Sequence, residues 1–309
     1  MTASHQNEIM VVSGASTGMG AATARALAAR GYHVLAGVRR ERDAEAIRAD
    51  GIEPVILDVT RPEHVRALAD RIAADPDHRR LRALVNNAGI SVDAPVEALP
   101  LDEWRRLFEV NLFGHIAVTQ ALLPFLHRSR GRIVNISSVG GKIAMATYGA
   151  YTGAKFALEA VSDSLRRELA PHGVQVVVVE PGAVRTEMAG RGAANANGVA
   201  ERMSPELRQR YGGLVTAVVA QSLAFTRTGL PADRAGSIIA EAATVRRPRT
   251  RYTVGRDAAL LTRLARVLPD RLLDRIIAAN LRTYLPGEGA GRNAGTPATR
   301  TRRSGTPTA

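Results

Sequence analysis

Residues 9–20 read IMVVSGASTGMG, and the character of the chain changes inside this stretch. The apolar run at residues 9–13 predicts a buried strand. Residues 21–30 are rich in alanine and predict a helix. Gly14, Gly18 and Gly20 therefore lie at a strand-to-helix turn, which is the context that a phosphate-binding fingerprint requires.

Each glycine of this turn has a separate physical role. Gly14 permits the tight turn, Gly18 lets the backbone approach a pyrophosphate, and Gly20 allows close packing of helix on strand. The anion would lie at the helix N-terminus, where free N–H groups and the helix dipole favour negative charge. The spacing is G-x-x-x-G-x-G rather than G-x-G-x-x-G, and a tight turn without a ligand is the alternative. The candidate cofactor residues of the turn are Gly14, Ser16, Thr17, Gly18, Met19 and Gly20.

A second strand is predicted at residues 33–38, and its end carries information about the cofactor. An acidic residue there favours NAD, whereas an arginine favours the 2′-phosphate of NADP. Val38 occupies the position of the acid and Arg39 follows it. The sequence therefore favours NADP over NAD, although Arg39 could also be a solvated side chain.

Further strands are predicted at residues 54–57 and 81–85, and helix-forming segments separate them. Strands that alternate with helices, without a linker, predict one α/β domain: a doubly wound, mostly parallel sheet with helices on both faces. The third strand runs into Asp58 and Val59, and the fourth runs into Asn86-Asn87-Ala88-Gly89. Residues at the carboxyl ends of such strands line the ligand crevice.

Tyr151 and Lys155 are four residues apart, a spacing that places both on one face of a helix. A phenol has a pKa near ~10, and a cation beside it favours the phenolate. With the Ser138 hydroxyl holding a substrate oxygen, Tyr151 could exchange a proton with an alcohol. Taken alone, such a pair is more often an ordinary helix-surface pair, and it gains weight from the motifs that precede it.

Together these motifs resemble the short-chain dehydrogenase/reductase family over roughly residues 8–256. The matching elements are the glycine turn, Asp58, Asn86-Asn87-Ala88-Gly89, Asn111, Ser138, Tyr151-x-x-x-Lys155, and Pro181-Gly182 followed by Thr186. Ser13 stands where the family often has threonine, and either hydroxyl can bond the backbone of the turn.

The resemblance implies four catalytic residues. Tyr151 is expected to be the general acid or base, and Ser138 to bind the substrate oxygen. Lys155 is expected to lower the Tyr151 pKa and to hold the nicotinamide ribose. Asn111 is expected to anchor a water that relays protons to Lys155.

The resemblance also implies the rest of the cofactor site. Asp58 and Val59 are expected near the adenine. The remaining expected cofactor residues flank the ribose and the nicotinamide, and they are Asn87, Ala88, Gly89, Tyr151, Lys155, Pro181, Gly182, Val184 and Thr186.

A finer resemblance is to the branch that contains retinol, 17-beta-hydroxysteroid and 3-hydroxybutyrate dehydrogenases. It rests on residues 155–169 (KFALEAVSDSLRREL), residues 247–255 (RPRTRYTVG) and Ser138-Val139-Gly140-Gly141. Substrates in this branch range from a four-carbon acid to a sterol.

Residues 186–230 are predicted to leave the sheet and form a substrate lid with one or two short helices and a flexible start at residues 190–198. Ser138, Val139, Met145 and Met188 are the candidate substrate contacts. Because no clear cationic clamp for a carboxylate stands out beyond Arg185 and Arg191, an apolar substrate is favoured over a small hydroxy acid. For any single apolar residue, simple packing of the lid is the alternative.

Composition excludes some classes of function and localisation. The 309 residues contain no cysteine, and the seven histidines show no metal-ligand spacing, so no metal site is predicted. No apolar signal region or spanning segment is visible, which predicts a cytoplasmic protein. In short-chain dehydrogenases, helix pairing around residues 101–128 and 150–170 implies a homodimer or homotetramer.

The net charge is +13, and residues 246–309 supply most of it. Within this region, residues 257–285 predict an amphipathic helical extension. The extension could pack on the parent domain, meet a second subunit or contact an anionic membrane peripherally, and nucleic acid binding is not expected. Residues 286–309 predict a disordered basic tail.

The sequence thus predicts an NAD(P)-dependent enzyme that interconverts an alcohol with a ketone or aldehyde, on an apolar lipid, steroid or retinoid-like substrate. Two alternatives stay open: a small hydroxy-acid dehydrogenase, and an idle dinucleotide-sensing regulator.

Overall fold

A seven-stranded parallel sheet forms the centre of the computed structural model, which describes residues 7–285 and, within them, every side chain except those of Ala189, Arg256, Asp257 and Arg266. The strand order is β3-β2-β1-β4-β5-β6-β9, and every neighbouring pair runs parallel. The strands are β1 (Glu8–Val12), β2 (His33–Val38), β3 (Ile52–Ile56), β4 (Arg80–Asn86), β5 (Arg132–Ile136), β6 (Gln175–Pro181) and β9 (Arg251–Val254), with a separate pair, β7 (Val184–Arg185) and β8 (Leu230–Pro231). The doubly wound fold predicted from the sequence is confirmed. The predicted tail at residues 286–309 lies outside the described residues.

Eleven α-helices are described between residues 7 and 285, and most of them connect consecutive strands. They are α1 (Gly18–Ala28), α2 (Glu41–Ile47), α3 (Pro62–Ala73), α4 (Leu101–Phe108), α5 (Gly114–Ser129), α6 (Gly149–Leu169), α7 (Glu187–Glu201), α8 (Pro205–Thr228), α9 (Ala232–Thr244), α10 (Arg256–Val267) and α11 (Asp270–Arg282). A π-helical segment (Glu109–Phe113) joins α4 to α5, and 3₁₀ turns occur at Val139–Gly141 and Ala170–His172. No helix in the described part of the chain is both long and apolar enough to cross a membrane.

Both faces of the sheet are buried, which explains why its strands are continuous apolar runs. Met10 and Val12 point to the face covered by α1, α2 and α9, whereas Ile9 and Val11 point to the face covered by α3 and α5. This alternation follows from the two-residue period of a strand.

The chain order reverses between β1 and β4, because β2 and β3 lie on one side of β1 and β4 lies on the other. Helices leaving neighbouring strands on opposite sides of the sheet open a crevice at the carboxyl ends of β1 and β4. This topology fixes the place where a ligand can bind.

The predicted lid segment is more regular than the sequence suggests. Residues 190–198, predicted to be a flexible loop, lie within α7, and α8 has 24 residues rather than being a short helix. Five alanines in α7 offset its glycines in helix propensity, and Ala196 and Val199 bury one face of it. Ser204 caps α8 by accepting a hydrogen bond from the Leu207 N–H at 3.3 Å.

Arg132 at the start of β5 is fully buried and joins distant parts of the chain. Its guanidinium donates to the carbonyl oxygens of Ala242 and Val245 at 2.7 Å each, and to Gln175 Oε1. Burial lowers the pKa of this side chain to about 10. The bonds satisfy carbonyls at the C-terminal end of α9 that would otherwise lack a partner.

Candidate active site

A cavity of about 520 Å³ lies at the carboxyl ends of β1, β2 and β4, and we call it the cofactor cleft. It contains most of the predicted cofactor residues: Gly14, Ser16, Thr17, Gly18, Met19, Gly20, Arg39, Asp58, Val59, Asn87, Ala88, Gly89 and Thr186. Val38, the position examined for an acid, lines the cleft as well. Residues that are far apart in the sequence, from Gly14 to Thr186, therefore meet at the crevice that the topology predicts.

The glycine turn leaves no room for side chains on its inner surface. Gly14 and Gly18 have φ angles of 65° and 58°, in the region that favours glycine. A Cβ added to Gly20 would lie 2.2 Å from the Gly14 carbonyl oxygen and 2.5 Å from Asn87 Nδ2. The turn thus exposes backbone at the N-terminus of α1, as binding of a dinucleotide pyrophosphate requires.

Ser13 and Asn87 tie the ends of β1 and β4 together. The Ser13 hydroxyl accepts hydrogen bonds from the backbone N–H groups of Asn87 and Ala88, at 3.0 and 3.1 Å. The Asn87 amide donates to the carbonyls of Ser13 and Gly14, at 3.0 Å each. These bonds hold the floor of the cofactor cleft and account for the polar residues that follow both strands.

Asp58 and Arg39 lie together at the far end of the cleft. Burial raises the Asp58 pKa, but hydrogen bonds from Thr60 and the charge of Arg39 outweigh it, so the net shift is downward. Thr60 donates its backbone N–H and its hydroxyl to Asp58 Oδ1, at 3.0 and 2.7 Å. The carboxylate is thus held ionised, and the exposed Arg39 guanidinium is left at the mouth of the cleft.

Ser138, Tyr151 and Lys155 form a group that we call the catalytic cluster. Ser138 caps the turn Val139–Gly141, where its Oγ accepts from the Gly140 N–H at 3.0 Å. A Cβ added to Gly140 would lie 3.2 Å from the Tyr151 ring and 3.4 Å from Ser138 Oγ, so this glycine lets the two approach. Lys155 Nζ lies 5.9 Å from the centre of the Tyr151 ring and donates to the Ile136 carbonyl at 2.9 Å.

Burial shifts the protonation equilibria of the cluster. Burial raises the pKa of Tyr151, the Ser138 side chain lowers it, and the charge of Asp93 raises it, with a net upward shift. Burial lowers the pKa of Lys155 to about 8, against a smaller opposing effect of Glu159. Desolvation disfavours the charged forms of both side chains, and the expected lowering of the Tyr151 pKa by Lys155 stays a prediction.

Asn111 lies in the π-helical segment, and its side chain is fully buried. Its Oδ1 accepts from the Ile90 N–H and its Nδ2 donates to the Ile90 carbonyl, both at 2.9 Å. π-helical turns often mark functional positions. The amide is used to hold the chain that follows β4, and its role in proton relay stays a prediction.

The remaining predicted residues lie outside the lining of the cleft. Pro181 ends β6, the Gly182 N–H donates to the Val254 carbonyl at 2.9 Å, and Val184 lies in β7. Tyr151 and Lys155 belong to the catalytic cluster rather than to the lining.

The four predicted substrate contacts are divided between the cleft and the cluster. Met188 lines the cleft, whereas Ser138 and Val139 belong to the turn of the catalytic cluster and the half-buried Met145 follows that turn.

A buried charged network behind the catalytic cluster was not identified from the sequence. Lys142 Nζ donates to Glu159 Oε2 at 2.6 Å, and Arg251 bonds the same oxygen at 3.0 Å. Both cations also lie within 3.6 Å of Glu180 Oε1. Glu159 is one helical turn beyond Lys155, a spacing that could have signalled the link.

His115 on α5 is another buried residue that the sequence analysis did not single out. Its Nε2 lies 2.7 Å from the Ala88 carbonyl, and its side chain is inaccessible to solvent. Burial, together with the charge of Lys155, lowers the His115 pKa to about 3. The ring is therefore neutral and connects the floor of the cleft to the surroundings of Lys155.

Comparison with known proteins places this geometry in a family. Residues 8–197 match the family model described as short chain dehydrogenase. Human retinol dehydrogenase 16 is 38% identical over 280 residues, covering 88% of both chains. An NADPH-dependent 3-dehydrocapnine reductase from Ornithobacterium rhinotracheale is 31% identical, covering 88% of this chain and 96% of the reductase.

A solved short chain dehydrogenase from Burkholderia cenocepacia, in complex with NADP, superposes with a TM-score of 0.67 at 26% identity. The superposition covers 89% of this chain and 98% of the solved chain. The resemblance noted from the motifs is thereby confirmed, including its retinol dehydrogenase branch. The chain belongs to the short-chain dehydrogenase/reductase family and is an oxidoreductase acting on CH–OH groups with NAD or NADP.

Proposed function

We propose that this enzyme interconverts a secondary alcohol and a ketone, or an alcohol and an aldehyde, on an apolar lipid, steroid or retinoid-like substrate, with NADP as the favoured cofactor. The observation that carries the proposal is the meeting of Ser138, Tyr151 and Lys155 beside the cofactor cleft. Donors for a substrate oxygen and a proton-transferring phenol stand together there, as alcohol oxidation requires.

In the proposed reaction the bound cofactor supplies or accepts the hydride. Ser138 holds the substrate oxygen, and Tyr151 gives a proton to it or takes one from it. Because the Tyr151 pKa is raised, the phenol is protonated at neutral pH and suited to donate in the reductive direction. Lys155, with a pKa of about 8, can exchange a proton near neutral pH.

The surroundings of the site support an apolar substrate. Met188 lines the cleft and the half-buried Met145 follows the turn of the catalytic cluster, whereas Val92, Leu107, Val199 and Met203 are buried and pack the lid helices onto the domain. Contact with the two methionines favours a substrate that gains free energy by leaving water. The named relatives act on a retinol and on 3-dehydrocapnine, by their descriptions.

Preference for NADP is supported by charge at the adenosine end. Arg39 lines the cleft, follows directly on β2, and contributes to the lowered pKa of Asp58. No carboxylate occupies position 38, where an acid would repel a 2′-phosphate.

The proposal is tested by titrating the purified protein with NADPH and NADH, followed by turnover assays with retinol, a hydroxysteroid and 3-hydroxybutyrate. We expect tighter binding of NADPH, turnover of at least one apolar alcohol, and none of 3-hydroxybutyrate. Arg39→Gln should remove the preference for NADPH. Turnover of the hydroxy acid alone would contradict the substrate assignment, and binding of neither nucleotide would contradict the function.

We also propose that the enzyme is a homo-oligomer that pairs through the faces of α4, α5 and α6. Phe113, 50% exposed, and Phe156, 44% exposed, are large apolar side chains on this surface. Light scattering after size exclusion measures the assembly, and Phe156→Glu should shift a dimer or tetramer towards monomer. A monomeric wild-type protein would contradict this proposal.

A peripheral membrane contact through α10 and α11 is a further part of the proposal. Val267 is 74% exposed, Leu260 59%, and no residue of α11 is buried. On α11, the exposed Leu272 and Ile276 alternate in sequence with Arg271, Arg275 and Arg282, a composition that suits an anionic surface. Wild-type protein should sediment with phosphatidylserine vesicles but not with neutral ones, and Leu272→Glu should reduce sedimentation. Equal recovery with both kinds of vesicle would contradict the contact.

A further inference from the structure

The lid helix α7 turns one stripe of side chains towards the cofactor cleft. Met188, Arg191 and Asn195 all line the cleft, and their spacing of three and four residues is that of a single helix face. The position of the stripe is fixed at its far end, where the Asn195 amide donates to the Ser91 carbonyl at 3.0 Å. A Cβ added to Gly192 would lie 3.2 Å from Asp93 Oδ2, so α7 packs closely on the chain after β4.

Arg191 is the cation of this stripe, and it reaches across the cleft to the glycine turn. Its Nη2 lies 3.4 Å from the hydroxyl of Thr17, which occupies the N-cap position of α1 without making a capping hydrogen bond. Arg191 also makes a surface ion pair with Glu187 at 3.5 Å, in which both side chains are more than half exposed. Such a pair contributes little, so it does not explain where the guanidinium lies.

The position of the Arg191 guanidinium beside the N-terminus of α1 is electrostatically unfavourable unless an anion lies between them. The N-terminus of a helix carries partial positive charge and disfavours a cation. The first turn of α1 has no acidic residue that would compensate. A guanidinium held beside exposed N–H groups in a ligand cleft is the arrangement that binds an anion from two sides.

We infer that Arg191 binds the pyrophosphate of the cofactor from the lid side, opposite the glycine turn, so that the cofactor holds α7 over the cleft. The inference rests on the proposed function, because it requires that a dinucleotide occupies the cleft. Arg191 and Arg39 then recognise different phosphates: Arg191 reads the pyrophosphate that NADH and NADPH share, whereas Arg39 reads the 2′-phosphate of NADPH alone.

The experiment compares Arg191→Gln with Arg39→Gln and with Arg202→Gln, a matched loss of charge at the exposed end of the same helix. Four ligands are titrated calorimetrically: NADPH, NADH, ADP and 2′-AMP, which lacks a pyrophosphate. Arg191→Gln should weaken NADPH, NADH and ADP by roughly tenfold each, the usual size for a charge-assisted hydrogen bond, and leave 2′-AMP unchanged. Arg191→Lys should recover part of the loss, and Arg202→Gln should change nothing.

Hydrogen exchange of the α7 amides measures independently whether a bound ligand stabilises the lid helix. ADP should slow exchange in α7 of the wild type and of Arg202→Gln, and should slow it much less in Arg191→Gln. Unchanged ADP affinity in Arg191→Gln, or a loss confined to NADPH, would overturn the inference. If the wild type bound none of the dinucleotides, the proposed function would fail. That result differs from one in which the wild type binds them and Arg191→Gln binds them equally well.

Discussion

The cofactor cleft and the catalytic cluster lie next to each other, but different kinds of chemical group form them. In the cleft, a single turn, Gly14 to Gly20, brings backbone to the surface, and its glycines leave no room for side chains. The cluster depends on buried charged side chains, with Lys155 backed by Glu159 and, through it, by Lys142 and Arg251. The glycine turn of the cleft is therefore specified locally, whereas the cluster is specified by contacts between distant parts of the chain.

The largest expected effect is a loss of turnover that leaves cofactor binding nearly unchanged. Tyr151→Phe removes the proton-transferring hydroxyl and should reduce kcat by about 10³-fold, in the range for loss of a general acid. Cofactor affinity should change less than about twofold, because the cleft is built without the phenol. Steady-state kinetics and cofactor titration measure the two quantities.

Tyr148→Phe is the matched control for this substitution. The Tyr148 ring lies edge-on to the Tyr151 ring, with 6.3 Å between ring centres. Its hydroxyl is outside the catalytic cluster, so kcat should fall less than about tenfold. Equal losses in the two variants would refute the assignment of Tyr151.

The second effect tests whether the charged network stabilises the cluster. Glu159→Gln removes one of the two carboxylates, Glu159 and Glu180, that Lys142 and Arg251 share, and it should cost about 3 kcal/mol of unfolding free energy, as expected for one partner of a buried ion pair. Urea denaturation measures the loss. Asp163→Asn touches the same Arg251 at a more exposed position and should cost under about 1 kcal/mol. A Glu159→Gln protein as stable as the wild type would show that the network contributes nothing.

The third effect probes the cleft. Gly20→Ala places a methyl group 2.2 Å from the Gly14 carbonyl oxygen, so the turn must shift. We expect a loss of about 2 kcal/mol by overpacking and a marked loss of cofactor affinity. Gly190→Ala is the control, because nothing lies within 4 Å of its added Cβ in α7. That variant should be neutral or more stable by about 0.5 kcal/mol, and the reverse order of the two would be inconsistent with the turn described here.

The last effect appears only as the pH falls, and it concerns His115, which contacts the cleft at Ala88 and responds to the charge of Lys155. Its pKa in the folded protein, about 3, is below its ordinary value of 6.5, so the unfolded chain binds a proton first as the pH falls. Stability is then lost as the pH drops below about 6.5, by about 1.4 kcal/mol per pH unit. At pH 5 the wild type should have lost about 2 kcal/mol more than His115→Gln, relative to pH 7. If the unfolding free energies of the two proteins changed in parallel with pH, His115 would not be a buried neutral histidine.

The same contrast explains what could be predicted from the sequence. The glycine turn, β2 and the Tyr151–Lys155 spacing depend on residues close together in the chain, and all lie where the sequence places them. The network around Arg251 joins residues 92 positions apart, and no local pattern encodes it. The upward shift of the Tyr151 pKa follows from burial, which the spacing of two residues on a helix does not reveal.

Helicity of α7 was missed for a related reason. Its glycines suggest a loop when read singly, but the buried face formed by Ala196 and Val199 stabilises a helix through tertiary packing. The position of Arg191 depends on that helix, so its approach to Thr17 is also invisible in the sequence.

Arg132 has a consequence for how the chain is made. Its guanidinium is satisfied by carbonyls of Ala242 and Val245, which the ribosome adds 110 or more residues later. Until those residues emerge, β5 carries a cation that cannot be buried without a large desolvation cost. We therefore expect the sheet beyond β4 to become stable only after α9 has been synthesised, rather than strand by strand.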